Sequence, residues 1–185
     1  MATYTAFHHH TRIAAGSLIA VAERCKAFLD ADPNGMPIVY DDATGRPVDI
    51  DYRGSTHDVL ARLATAEPAA ARRGPGRPKL GVVAREVTLL PRHWDWLATQ
   101  PGGASVALRK LVEAARRETG AADEVRQASE AVDRVMLALA GDLPGYEEAS
   151  RAFHRGEVGR FDELTEAWPV DVRDYVRSMA ARVAA

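Results

Sequence analysis

Pro68, Pro75 and Pro78 fall within one run, Glu67 to Gly81, that is composed mainly of Ala, Arg, Gly and Pro. Each proline removes a backbone donor and blocks a continuing helix or a central strand. No regular element can cross this stretch, so the chain of 185 residues must be organised around it. The expected division is an N-terminal α+β domain over 1–66, a basic Gly/Pro linker over 67–81, a strand-helix-helix segment over 82–118 and a helical bundle over 119–185.

The N-terminal part alternates strand and helix signals. Thr3 to Ala15 reads as strand, turn, strand, with Tyr4, Phe7 and Ile13 apolar and His8, His9 and His10 near the turn. Ser17 reads as a helix N-cap, followed at three- and four-residue spacing by Leu18, Val21, Cys25, Phe28 and Leu29. Pro37 to Tyr40 and Pro47 to Tyr52 flank the turn Asp41 to Gly45, and Val48, Ile50 and Tyr52 alternate with polar residues, which predicts a hairpin with one buried face. Ser55 and Asp58 match a capping box ahead of Val59, Leu60 and Leu63. The expected fold is a small antiparallel sheet with helices packed on one face.

Beyond residue 119 only helical spacing is found. Val125, Ala128, Val132, Val135, Met136 and Leu139 form one stripe; Tyr146, Ala149 and Phe153 another; Phe161 and Leu164 belong to a short helix; Pro169 opens a last one with Val172, Tyr175, Val176 and Met179 inward. The class expected for the whole chain is α+β.

Several function classes find no support. No apolar run reaches the roughly 20 residues that span a bilayer, and no secretory signal is visible at the N-terminus, so a cytoplasmic location without a membrane partner is expected. The one cysteine, Cys25, lies on an apolar helix face and reads as core. In a strand only His8 and His10 share a side, with no carboxylate to complete a metal set. Asp41, Asp42, Asp49 and Asp51 read as solvated turn residues, and the three tryptophans, Trp94, Trp96 and Trp168, as packing anchors, with Trp96 off the Trp94/Leu97 stripe. Neither a metal, a cofactor nor a catalytic residue is expected, and the chain reads as non-enzymatic.

Charge is partitioned along the chain. Residues 1–70 carry 6 Lys/Arg against 9 Asp/Glu, residues 71–118 carry 10 against 4, and residues 119–185 carry 8 against 13, so the net charge of -2 hides segments of -3, +6 and -5. A basic block between acidic flanks focuses positive potential, and phosphate is the polyanion it would meet most often.

Within that block, Arg72-Arg73-Gly74-Pro75-Gly76-Arg77-Pro78-Lys79 resembles an AT-hook. The resemblance implies that Arg77 enters the narrow minor groove of A·T-rich DNA while Arg72, Arg73 and Lys79 reach phosphates. Pro75 stands where a hook carries its other arginine, so half of the paired core is present. Val82 to Leu90 favours a strand, Pro91 to Gln100 a helix with Trp94 and Leu97 on one face, and Pro101-Gly102-Gly103 a break. A second helix opens at Ser105 with Leu108, Leu111, Val112 and Ala115 on one face. Residues 82–117 thus resemble the ribbon-helix-helix family, which implies a homodimer with paired strands in the major groove and a phosphate at the second helix's N-terminus. Arg85 would approach the groove, and the N–H groups of Gly103, Ala104 and Ser105 would clamp phosphate. Neither strand face, Arg85/Val87/Leu89 or Glu86/Thr88/Leu90, offers a good base-reading set, and the first helix is short for the family. Backbone and minor-groove contacts with weak sequence specificity are therefore expected.

Over the whole chain, the run from Gly76 to Trp94, Pro101 to Ser105, Asp41 to Arg46 and Trp168 to Arg173 resemble an uncharacterised bacterial family, domain-of-unknown-function family 2239. That resemblance implies a bacterial protein and transfers no catalytic residue. The expected function is a dimeric DNA-binding protein of the nucleoid or a regulator of transcription, with double-stranded DNA and a second copy as partners. The competing expectation is a protein-interaction module whose central segment is an obligate dimer core.

Overall fold

The computed structural model describes residues 3–66 and 83–183. The fold is α+β, with a four-stranded antiparallel sheet near the N-terminus and a helical C-terminal part. The chain packs as two units, residues 1–68 with 125–185, and residues 69–124.

In the first unit, β1 (Tyr4–His8) and β2 (Thr11–Gly16) form a hairpin that turns at His9, whose φ of 51° is left-handed. β3 (Ile38–Asp41) pairs with the other edge of β1 and β4 (Pro47–Val48) with β3, giving the order β2-β1-β3-β4. The register of β1 on β2 slips between Ala6 and Phe7, leaving Ile13 bulged out of the ladder. β4 is shorter than the expected strand. The alternation persists in burial nonetheless, with Ile50 buried and Asp49 and Asp51 exposed.

Local signals place the helices of this unit well. α1 (Leu18–Ala31) is capped by the Ser17 hydroxyl, which accepts the Ala20 N–H at 3.3 Å, and it buries Val21, Ala22 and Cys25. α2 (Thr56–Ala66) opens with the reciprocal box: Asp58 Oδ2 accepts the Ser55 N–H at 2.9 Å, and the Ser55 hydroxyl accepts the Asp58 N–H at 3.3 Å.

One expectation is corrected. The sheet is covered on both faces, not one. Ala6 and Val39 pack with Val21, Ala22, Cys25 and Val59 of α1 and α2, whereas Phe7 and Tyr40, their neighbours in sequence, pack with Val132, Val135, Met136, Tyr175, Val176 and Met179. Adjacent residues of a strand point to opposite faces, so two consecutive apolar positions on two paired strands demand two covering layers.

The second cover comes from the C-terminal part, so the two segments expected as separate domains share a core. α4 (Gly103–Ala140), α5 (Tyr146–His154), α6 (Val158–Thr165) and α7 (Val170–Ala181) follow in order, and α4 contributes its residues 125–140 to this unit. Polar contacts fasten the layer. The Tyr175 hydroxyl donates to Asp42 Oδ1 at 2.7 Å, the Arg12 N–H to Asp171 at 2.9 Å and Arg134 Nη1 to the Thr44 carbonyl at 2.7 Å. At Gly45, φ is +65° and an added Cβ would lie 2.3 Å from the Ala131 carbonyl oxygen, so only glycine lets this turn meet the helix. Trp168 is buried as expected, with its indole N–H on the Pro144 carbonyl at 3.0 Å.

The second unit is described over 83–124. Residues 83–90 form no strand, α3 spans Pro91–Ala98, and α4 begins at Gly103 and continues without interruption through Gly120. The expected boundary at 118 thus falls inside a helix. Among the described residues the expected strand does not form, as an isolated segment has no ladder partner to satisfy its backbone.

Candidate nucleic-acid interface

Arg72, Arg73, Arg77 and Lys79 lie outside the described residues. The remaining expected site residues all belong to the second unit. Arg85 is exposed on the extended stretch before α3, where Leu89 alone of residues 83–90 is partly buried.

The start of α4 is built by two left-handed glycines, Gly102 at φ +85° and Gly103 at +74°. They turn the chain sharply out of α3, whose last turn ends in polar contacts of Thr99 and Gln100 with the Trp96 carbonyl. This geometry alters the expected anion site. The Gly103 N–H donates to the Gln100 carbonyl at 3.0 Å and closes the turn, so it is no donor for phosphate. The N–H groups of Ala104 and Ser105 have no partner among the described residues. One turn further on, Arg109 Nε donates to the Ser105 carbonyl at 3.1 Å, which folds a guanidinium back towards the helix N-terminus.

The cations of the two units are treated very differently. In the first, ten of fourteen Lys and Arg, all but Arg12, Arg24, Arg46 and Arg182, form ion pairs with carboxylates. Among the described residues of the second there are six, and only Arg116 is paired, with Glu113 at 3.4 Å. Arg85, Arg92, Lys110 and Arg117 form no ion pair with a carboxylate among the described residues, and Arg109 bonds only the carbonyl. Sequence reasoning passed over Arg92, Arg109, Lys110 and Arg117. For Lys110 the helix offers one carboxylate at i+3, Glu113, and that carboxylate pairs with Arg116 instead.

Apolar side chains of this unit are also left uncovered. Of its described residues only Leu97 and Ala107 are buried, while Trp94 is 41% and Trp96 50% exposed. Trp94, expected to anchor packing beside Leu97, is exposed. Val83, Val87, Leu90, Leu111 and Val112 are exposed as well.

Asp41, Asp42, Asp51 and His8 of the first unit hold structure together. The Asp41 carboxylate accepts the Ala43 and Thr44 N–H groups, which fixes the β3–β4 turn, and Asp42 is the acceptor for Tyr175. Hydrogen bonds from the Arg53 side chain and N–H hold the Asp51 carboxyl well below the usual carboxylate range, with the Arg62 charge adding to them. His8 Nδ1 accepts the Met36 N–H at 3.2 Å and its ring lies against Phe28. These turn and strand residues are partnered rather than merely solvated.

A family model matches residues 3–180, nearly the whole chain. The chain belongs to the family of uncharacterized proteins conserved in bacteria, DUF2239. No curated protein and no solved structure matches it. Among the described residues, no helix is long and apolar enough to cross a membrane.

Proposed function

We propose that this DUF2239 protein is a dimeric, non-enzymatic DNA-binding protein, nucleoid-associated or regulatory, that holds duplex DNA mainly through phosphate and minor-groove contacts with weak sequence specificity. The observation that carries this reading is the contrast in charge pairing. A protein that neutralises its cations over most of its surface, yet leaves Arg85, Arg92, Lys110 and Arg117 without carboxylates in one short segment, keeps there the charges that a polyanion would neutralise. The unpartnered N–H groups of Ala104 and Ser105 at a helix start and the nearby Arg109 are suited to one phosphate oxygen. The Arg72 to Lys79 loop adds four cations by sequence, with Arg77 as its minor-groove residue.

Dimerisation is supported by the same unit. The described residues of this unit bury little beyond Leu97 and Ala107, too small a core for them to stand alone. Pairing residues 83–90 with those of a second copy would satisfy their backbone groups.

Mobility shift of duplex DNA at two salt concentrations, with wild type and Arg77→Ala, tests the proposal. Retardation at low salt that weakens in the variant is expected; no retardation at low salt rejects it. The exposed Trp94, Trp96, Val83 and Val87 favour a second reading, a protein-interaction module with an obligate dimer core. A stoichiometric protein partner recovered together with a nucleic-acid-free absorbance ratio would select that alternative.

A further inference from the structure

We propose that the cleft walled by α4, α5, α6 and α7 in the first unit binds a small neutral aromatic molecule that carries a hydrogen-bond acceptor. The cleft holds about 710 Å³, within the range of sites for small organic ligands. Its walls are mainly apolar: Val125, Phe153, Val158, Phe161 and Ala180. The rings of Phe153 and Phe161 stand 5.9 Å apart and inclined at 47°, an aromatic surface for a flat ligand. Val125 and Val158 at the edge are 49% and 57% exposed, although the core beside them is closed at Val132, Val172 and Val176. An unfilled apolar concavity next to a well-packed core is surface that a ligand would remove from water.

The polar equipment sets the class of ligand. Arg177 lines the cleft and is held at one end, with Nε donating to Thr165 Oγ1 at 2.8 Å and Nη2 to Glu166 Oε2 at 3.0 Å. Its Nη1 has no hydrogen-bond partner among the described residues and is therefore a pre-positioned donor. The charge of Arg177 is already met by Asp162, at 3.4 Å, and by Glu166, and the other carboxylate in the wall, Glu157, is tied to Arg155 at 2.8 Å. An anionic ligand would meet those carboxylates with no surplus positive charge to hold it. A neutral carbonyl or similar acceptor takes the free donor without that repulsion.

The test is titration of the full-length protein with Prodan, a neutral naphthalene ketone with environment-sensitive fluorescence, and in parallel with the anionic 8-anilinonaphthalene-1-sulfonate. Saturable, blue-shifted Prodan binding at one site per chain is expected, with the sulfonate weaker by about tenfold or more. Ala181→Trp, at an exposed lining position, and Val158→Asp, at the first turn of α6 where an acidic residue is tolerated, should each weaken Prodan by about tenfold while leaving the circular dichroism unchanged. Absence of saturable Prodan binding, or equal affinity in both folded variants and wild type, overturns the site. Equal or tighter sulfonate binding overturns the neutral class. Neither result bears on DNA binding, which depends on the other unit.

Discussion

The sharpest prediction concerns salt. Arg85, Arg92, Lys110 and Arg117 are the described cations of the second unit that neither a carboxylate nor a backbone carbonyl engages. If each neutralises one phosphate, four contacts steepen the dependence of log affinity on log salt by about 3.6 per chain, since each contributes about 0.9 on duplex DNA. Between about 50 and 200 mM salt that share alone costs roughly 150-fold in affinity. Replacing all four by alanine should flatten the slope by that amount and leave a residual slope from the four cations in the sequence Arg72 to Lys79. The control is Arg151→Ala with Arg160→Ala, because these arginines sit on Glu148 at 2.9 Å and Glu163 at 2.8 Å and have no charge to spare. Fluorescence anisotropy of a labelled duplex across that salt range reads both slopes. Equal slopes for the quadruple variant and wild type, or an equal loss in the control, would refute the link between unpaired cations and phosphate contact.

Three other outcomes are expected. Gly45→Ala should cost about 2–4 kcal/mol in urea unfolding, from left-handed backbone strain and collision with the Ala131 carbonyl; a change within error would show that the turn can retreat from α4. Hydrogen bonds from the Ser55 hydroxyl and N–H depress the Asp58 pKa, so the stability it adds to α2 is present above the ordinary carboxylate value of about 4 and is lost as pH falls through the lower folded value. Asp58→Ala should therefore be less stable than wild type at neutral pH and converge with it in acid, whereas a gap independent of pH would remove the capping argument. Light scattering should return twice the chain mass, and Trp94→Ala with Trp96→Ala should shift that mass towards the monomer; a wild-type monomer at micromolar concentration would end the dimer proposal.

Legibility varied with the range of the signal. Ser17, the Ser55/Asp58 box and the Val172, Tyr175, Val176, Met179 stripe are encoded within one or two helical turns, and the structure places each as its spacing implies. The β4 strand was overestimated because alternation reports burial, and Ile50 is buried without a ladder. The boundary drawn between residues 118 and 119 falls inside α4, which continues through Gly120 because one glycine weakens a helix without ending it. At the candidate interface the basic block was plain from composition, but not which cations were free. Nor did composition reveal that Gly103 spends its N–H on Gln100.

Short-range chemistry in the chain determined the caps, the turn glycines, the helical faces and the central excess of positive charge. Only tertiary structure decided that Phe7 and Tyr40 look away from Ala6 and Val39 towards helical residues far along the chain, from Ala131 onward, and which arginines meet a carboxylate. Burial and ion pairing belong to pairs of groups, and the second member of each pair is chosen by how the chain closes on itself.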